Sequence, residues 1–89
     1  MKHLNIRISG KVQGVFFRAS AKEKADQLGV KGFVRNEPSG DVFIEAEGDA
    51  DQLKLFLEWC SQGPRRASVE GIQAEESDLM NFKSFEVRR

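Results

Sequence analysis

Leu4-Asn5-Ile6-Arg7-Ile8-Ser9-Gly10-Lys11-Val12-Gln13-Gly14-Val15-Phe16-Phe17-Arg18 changes its period partway along. Leu4, Ile6 and Ile8 alternate with Asn5, Arg7 and Ser9, the two-residue period of a strand with one buried face. Gly10 closes that strand, and a loop with Gly14 inside it follows. From Phe17 the apolar positions become Phe17, Ala21, Ala25 and Leu28, with Lys22, Glu23, Lys24 and Asp26 on the opposite face. That is helical spacing. Gly29 stands where a glycine in the left-handed conformation ends a helix. The segment therefore predicts a strand, a loop over 11–16 and a helix over about 18–28.

The same reading extends outward. Val30 to Arg35 reads as a strand, Asn36-Glu37-Pro38-Ser39-Gly40 as a turn, and Asp41 to Gly48 as the return strand, with Val42, Ile44 and Ala46 on one face. Asp49 fits an N-cap, with Gln52 three residues on. Leu53, Phe56, Leu57 and Cys60 make a second amphipathic helix, which Gly63-Pro64 closes. Ala67 to Glu75 is a fourth strand, with Val69 and Ile72 as core residues and Gly71 hinting at a bulge. Ser77 to Asn81 is a polar loop and Phe82 to Val87 a short last strand. The order β-α-β-β-α-β is the α+β, ferredoxin-like pattern, with two helices on one face of a mostly antiparallel sheet and a short fifth strand. One domain over residues 1–89 is expected. Fold alone names no function.

Composition narrows the classes. Lys plus Arg and Asp plus Glu are both 14 in 89 residues. Zero net charge argues against a polybasic nucleic-acid binder, whose affinity comes largely from phosphate neutralisation. One cysteine, Cys60, allows no internal disulfide. No apolar run approaches the ~20 residues of a membrane-spanning helix, and the first residues do not read as a signal peptide. The expectation is a soluble, cytoplasmic monomer with no membrane partner. A single His3 and a single Cys60 remove most metal-site options, so no metal and no cofactor are expected.

The chemistry points to the first loop. A turn containing Gly14 leads straight into a helix N-terminus, where backbone N–H groups and the helix dipole favour an anion. Arg18 stands in the first helical turn, against the dipole. A guanidinium beside converging N–H groups is a phosphate clamp. The plainer reading is that Gly14 makes a turn and Arg18 is a solvated charge. Asn36 has two readings as well: an Asx turn into Pro38, or an amide that holds a water.

Gly10-Lys11-Val12-Gln13-Gly14-Val15-Phe16-Phe17-Arg18 resembles the G-x-V-Q-G-V-x-[FY]-R signature of the acylphosphatase family. Gly32-Phe33-Val34-Arg35-Asn36-Glu37-Pro38-Ser39-Gly40-Asp41-Val42 resembles that family's second block, G-[WF]-V-R-N-x-x-[DS]-G-x-V. Gly63-Pro64 and the ending Phe82 to Arg89 match too. Ser39 replaces a common Asp and Phe33 a common Trp. The resemblance implies a hydrolase that cleaves the carboxyl-phosphate bond of acyl phosphates without metal or covalent intermediate. It implies that Gln13, Gly14, Val15, Phe16, Phe17 and Arg18 cradle the phosphoryl group and that Arg18 and Asn36 are catalytic. Arg18 clamps phosphate and Asn36 orients water. It implies a free-standing enzyme with a small-molecule partner.

Two alternatives stand beside it. One is a non-catalytic module that binds acyl or carbamoyl phosphate. The other is a nucleic-acid-binding ferredoxin-like domain, which would expose aromatics on central strands. Elsewhere, His3 reads as a surface strand residue, Cys60 as core, and Trp59 as cover for a core edge. Phe17 reads as core, whereas Phe16 is a candidate shield for an acyl group. Arg88-Arg89 reads as a frayed end.

Overall fold

The alternation of Leu4, Ile6 and Ile8 becomes β1 (Lys2–Lys11) in a computed structural model that describes all residues from Met1 to Arg89. Then come α1 (Phe17–Leu28), β2 (Lys31–Asn36), β3 (Val42–Gly48), α2 (Ala50–Gln62), β4 (Ser68–Ser77) and β5 (Phe85–Val87). The five strands form one sheet in the order β4-β1-β3-β2-β5. β1 pairs antiparallel with β3 and β4, and β2 antiparallel with β3, while β5 joins β2 in parallel. This is the βαββαβ arrangement expected, with the fifth strand on an edge.

Both helices bury their apolar stripes against the same face of the sheet. Ala21 and Ala25 of α1 and Leu53, Phe56 and Cys60 of α2 meet Ile6, Ile8, Val34, Val42, Ile44 and Ala46 in one core. Trp59 covers a core edge, tilted against Phe17 at 5.4 Å and stacked on Phe56 at 6.3 Å. Gln52 does cap α2: its Oε1 accepts the Asp49 backbone N–H at 2.8 Å.

Several boundaries differ from the expectation, because long-range pairing and contacts override local pattern. β1 continues past Gly10 because the register shifts there: Ser9 faces Gly71 but Gly10 faces Val69, leaving Glu70 as the extra residue of a bulge. A Cβ on Gly10 would sit 2.2 Å from Ser68 O, so only glycine fits. Asn36 belongs to β2, paired with Val42, and not to the turn. The last strand is only Phe85–Val87, because Phe82 is held elsewhere.

His3 is not a surface residue. It is 1% exposed on the helix-free side of the sheet. Its Nδ1 lies 2.7 Å from Glu47 Oε2, and its Nε2 lies 3.0 Å from Asn5 Oδ1 and 3.1 Å from Glu45 Oε1. Phe82 stacks on the ring at 5.7 Å. Glu47, equally buried, accepts the backbone N–H groups of Met80 and Phe82. The expected polar loop is thus strapped over a buried ion pair. Burial alone would lower the imidazole pKa. Hydrogen bonds to Glu47 and Asn5 and the charges of Glu45 and Glu47 outweigh it, and the net shift is upward. Glu47 mirrors this: burial pushes up, but His3 and the two N–H donors pull its carboxyl below the usual range.

The same side of the sheet carries Phe33 and Phe43. They are not open platforms for bases. Arg7 and Arg35 lie over Phe43 at 5.3 and 4.9 Å, and Arg88 lies over Phe33 at 4.1 Å. Glu37 pairs with both Arg7 and Arg35.

Candidate active site

The loop between β1 and α1 is pinned by three apolar residues. The side chains of Val12, Val15 and Phe17 enter the core. Between them, Gly14 (φ 74°) and Phe16 (φ 63°, ψ 25°) take left-handed backbone conformations. Both lie among these core anchors in the residues that lead into α1. The first N–H beyond the loop with a protein acceptor is that of Ser20, 3.1 Å from Phe16 O. The N–H groups of Gly14 through Ala19 donate to no protein group. No acidic residue occupies the first turn of α1, so its positive end is uncompensated.

Arg18 projects from that turn. Its Nη1 donates to Arg88 O at 3.1 Å. One bond uses one of five donors, and the rest of the fork stays available. The same bond shows that the last residues are not frayed. Arg88 N–H donates to Val34 O at 2.8 Å, and Val87 and Arg89 line the same cavity as Arg18.

Asn36 reaches this cavity from the end of β2. Its Oδ1 is buried and has no hydrogen-bond partner. The adjoining turn closes without it, through Gly40 N–H to Glu37 O and Glu37 N–H to Asp41 O. The Asx-turn reading therefore has no bond behind it. A buried carbonyl oxygen left unpaired costs about 1–3 kcal/mol, so its retention calls for a use.

The cavity measures about 460 Å³ and opens to solvent on one side. Gly14, Phe16, Phe17, Arg18 and Asn36 line it. Gln13 and Val15 do not. Val15 is an anchor in the core. Gln13 turns its amide away: Nε2 donates to Glu37 O at 2.8 Å and to Asp41 O at 2.9 Å. It thereby staples the loop to the hairpin that carries Asn36. Sequence spacing held no signal for this staple or for the wall formed by Val87 and Arg89.

Comparison with known proteins identifies the family and the fold. The family model described as Acylphosphatase matches residues 4–87. The acylphosphatase of Rubrobacter xylanophilus is 46% identical over 88 residues, spanning 98% of this chain and 80% of that protein. The acylphosphatase of Methylococcus capsulatus is 44% identical over 90 residues, spanning 100% of this chain and 98% of that one. The crystal structure of the Bacillus subtilis acylphosphatase superposes with a TM-score of 0.97 at 33% identity, covering all of both chains.

Proposed function

The chain belongs to the acylphosphatase family, and from that premise we propose how residues 1–89, acting as one domain, carry out the hydrolysis of acyl phosphates. The phosphoryl group sits on the N–H groups of the Gly14–Arg18 stretch and on the Arg18 guanidinium. Phe17 contributes only its N–H, because its ring is buried. The Asn36 amide holds a water in line with the bond to be broken. The water oxygen bonds to phosphorus as the bond from phosphorus to the acyl oxygen breaks. The carboxylate leaves with the electron pair, and the water's proton passes to a phosphate oxygen.

The chemistry needs little else. A carboxylate is a weakly basic leaving group, with a conjugate-acid pKa near ~4, so no general acid is required. Asn36 is an orienting group and not a base. Catalysis is positioning plus stabilisation of charge on the equatorial oxygens, and a metal is not needed for either. What supports this reading most is that Arg18, Asn36 and Gly14 line one cavity, beside N–H groups that no protein acceptor uses. Gln13 acts as a positioning residue, fixing the distance between loop and hairpin.

A cytoplasmic monomer is the setting this reading implies. Cys60 is a free, buried thiol, which suits a reducing compartment. One sheet edge, β5, has only three residues, and the other, β4, carries Glu70, Glu75 and Glu76, features that discourage edge pairing. The test is hydrolysis of benzoyl phosphate by the purified chain in excess chelator. Full activity is expected. Activity lost with chelator contradicts the metal-free route, and a folded but inactive protein contradicts the catalytic assignment.

A further inference from the structure

Phe16 is the one loop residue whose side chain has no evident structural reason to be there. Its backbone is left-handed, a conformation that costs a residue with a Cβ about 1–2 kcal/mol and that Gly or Asn adopts more readily. Strain of this kind is normally offset by packing. Phe16 is 72% exposed, so it gains little burial in return. Its neighbours Val15 and Phe17 are locked in the core, so the ring cannot turn inward. It is held on the wall of the cavity that also contains Arg18 and Asn36. Val87, the last residue of β5 and 44% exposed, lines that cavity too.

We propose that Phe16 and Val87 form an acyl-side subsite that selects acyl phosphates with an apolar, especially aromatic, acyl group. The proposal rests on the catalytic reading above and adds to it the substrate class. A phosphoryl group occupies roughly 150 Å³ if its five heavy atoms each take about the ~30 Å³ of a liquid water. The cavity of about 460 Å³ therefore has room beyond the phosphate. With Arg18, Asn36 and the loop N–H groups assigned to the phosphoryl end, Phe16 and Val87 are the large exposed apolar side chains left for the acyl end, with the small Ala19 beside them. A ring on the substrate covers the Phe16 face on binding and removes both surfaces from water. An acetyl group is too short to cover much of either. Arg89 lines the same cavity and would attract a charged acyl tail, so the comparison that isolates the apolar contact uses uncharged acyl groups.

The experiment measures kcat/KM for benzoyl phosphate and acetyl phosphate with the wild type, Phe16→Asn, Phe16→Tyr and Val87→Ser. Asn keeps the left-handed backbone accessible, and Tyr keeps the ring. The benzoyl-to-acetyl ratio is expected to fall about fivefold in Phe16→Asn and in Val87→Ser, mainly through KM for benzoyl phosphate. In Phe16→Tyr it stays within about twofold. Phe16→Asn is also expected to unfold at a temperature no lower than the wild type. A ratio unmoved in both Phe16→Asn and Val87→Ser, or equal losses on the two substrates, overturns the subsite and leaves the hydrolase reading intact. A wild type inactive on both substrates overturns both.

Discussion

Arg18 places a positive charge where the N-terminus of α1 is already positive, an arrangement that costs a helix about 0.3–1 kcal/mol. Its bond to Arg88 O returns some of that. The two nearly cancel, so Arg18→Ala is expected to shift the melting temperature by only about 3 °C. Its kcat/KM on benzoyl phosphate should nevertheless fall by about 10²–10³, the usual loss for one oriented donor at a developing charge. Arg18→Lys keeps the charge but not the planar fork, and should stay at least ~10-fold below the wild type. For Asn36→Ala the expected pattern is a ~10²-fold fall in kcat, because water positioning is lost. Stability should be unchanged or higher, because the unpaired Oδ1 is removed. Calorimetry beside the kinetics checks the pair, and a large loss of stability in either variant would point to a structural role. Both were legible in the sequence as candidates, because each sits within a local motif, and the structure brings them to one cavity. Gln13 was legible only as a member of the loop. Its bonds cross to Glu37 O and Asp41 O, 24 and 28 residues away, and no local pattern encodes such a pairing.

At the scale of elements, that staple and the His3–Glu47 clasp set how loop, hairpin and last strand sit together. Gln13→Ala removes two bonds between loop and hairpin without touching the cavity. The expected result is a kcat about 10-fold lower, with inorganic phosphate inhibiting nearly as well as before. Weakened phosphate inhibition would instead give Gln13 a direct role in the cradle. The clasp makes stability depend on pH. The imidazole pKa is raised above 6.5, so its contribution is complete below that pH and is lost as pH rises through the folded value. The Glu47 pKa is lowered below 4.5, so its contribution is complete above that pH and is lost on acidification. Both act fully between about pH 4.5 and 6.5. At pH 5.5, His3→Ala is expected to cost about 2 kcal/mol, or roughly 10 °C. The gap to wild type should narrow steadily toward pH 9; a gap that widened would reverse the assigned shift. Sequence alternation did put His3, Asn5 and Arg7 on one face. It carried no sign that Met80 and Phe82 would close over that face, because those contacts come from a segment with no periodicity.

At the scale of the whole molecule, the switch of period near Gly10–Phe17 and the hairpin signals were enough for the element order and the helix-covered face. The parallel pairing of β5 with β2 was not readable, since a three-residue strand has no period and its partner is fixed by tertiary packing. That pairing matters, because it brings Val87 and Arg89 to the cavity and the Arg88 carbonyl to Arg18. The core also makes a reporter of global opening. Cys60 is fully buried against both helices and the sheet, and burial pushes its thiol pKa up. It should resist thiol reagents in the native protein and react at a rate that tracks the unfolded fraction through a urea titration. Fast labelling in buffer would mean that α2 opens locally.

In the proposed mechanism water attacks phosphorus, held by the Gly14–Arg18 loop, and not the acyl carbon. Hydrolysis of benzoyl phosphate in ¹⁸O-enriched water, read by mass spectrometry of both products, tests this directly. One solvent oxygen in the phosphate and none in the benzoate is the predicted result. Solvent oxygen in the benzoate would contradict it.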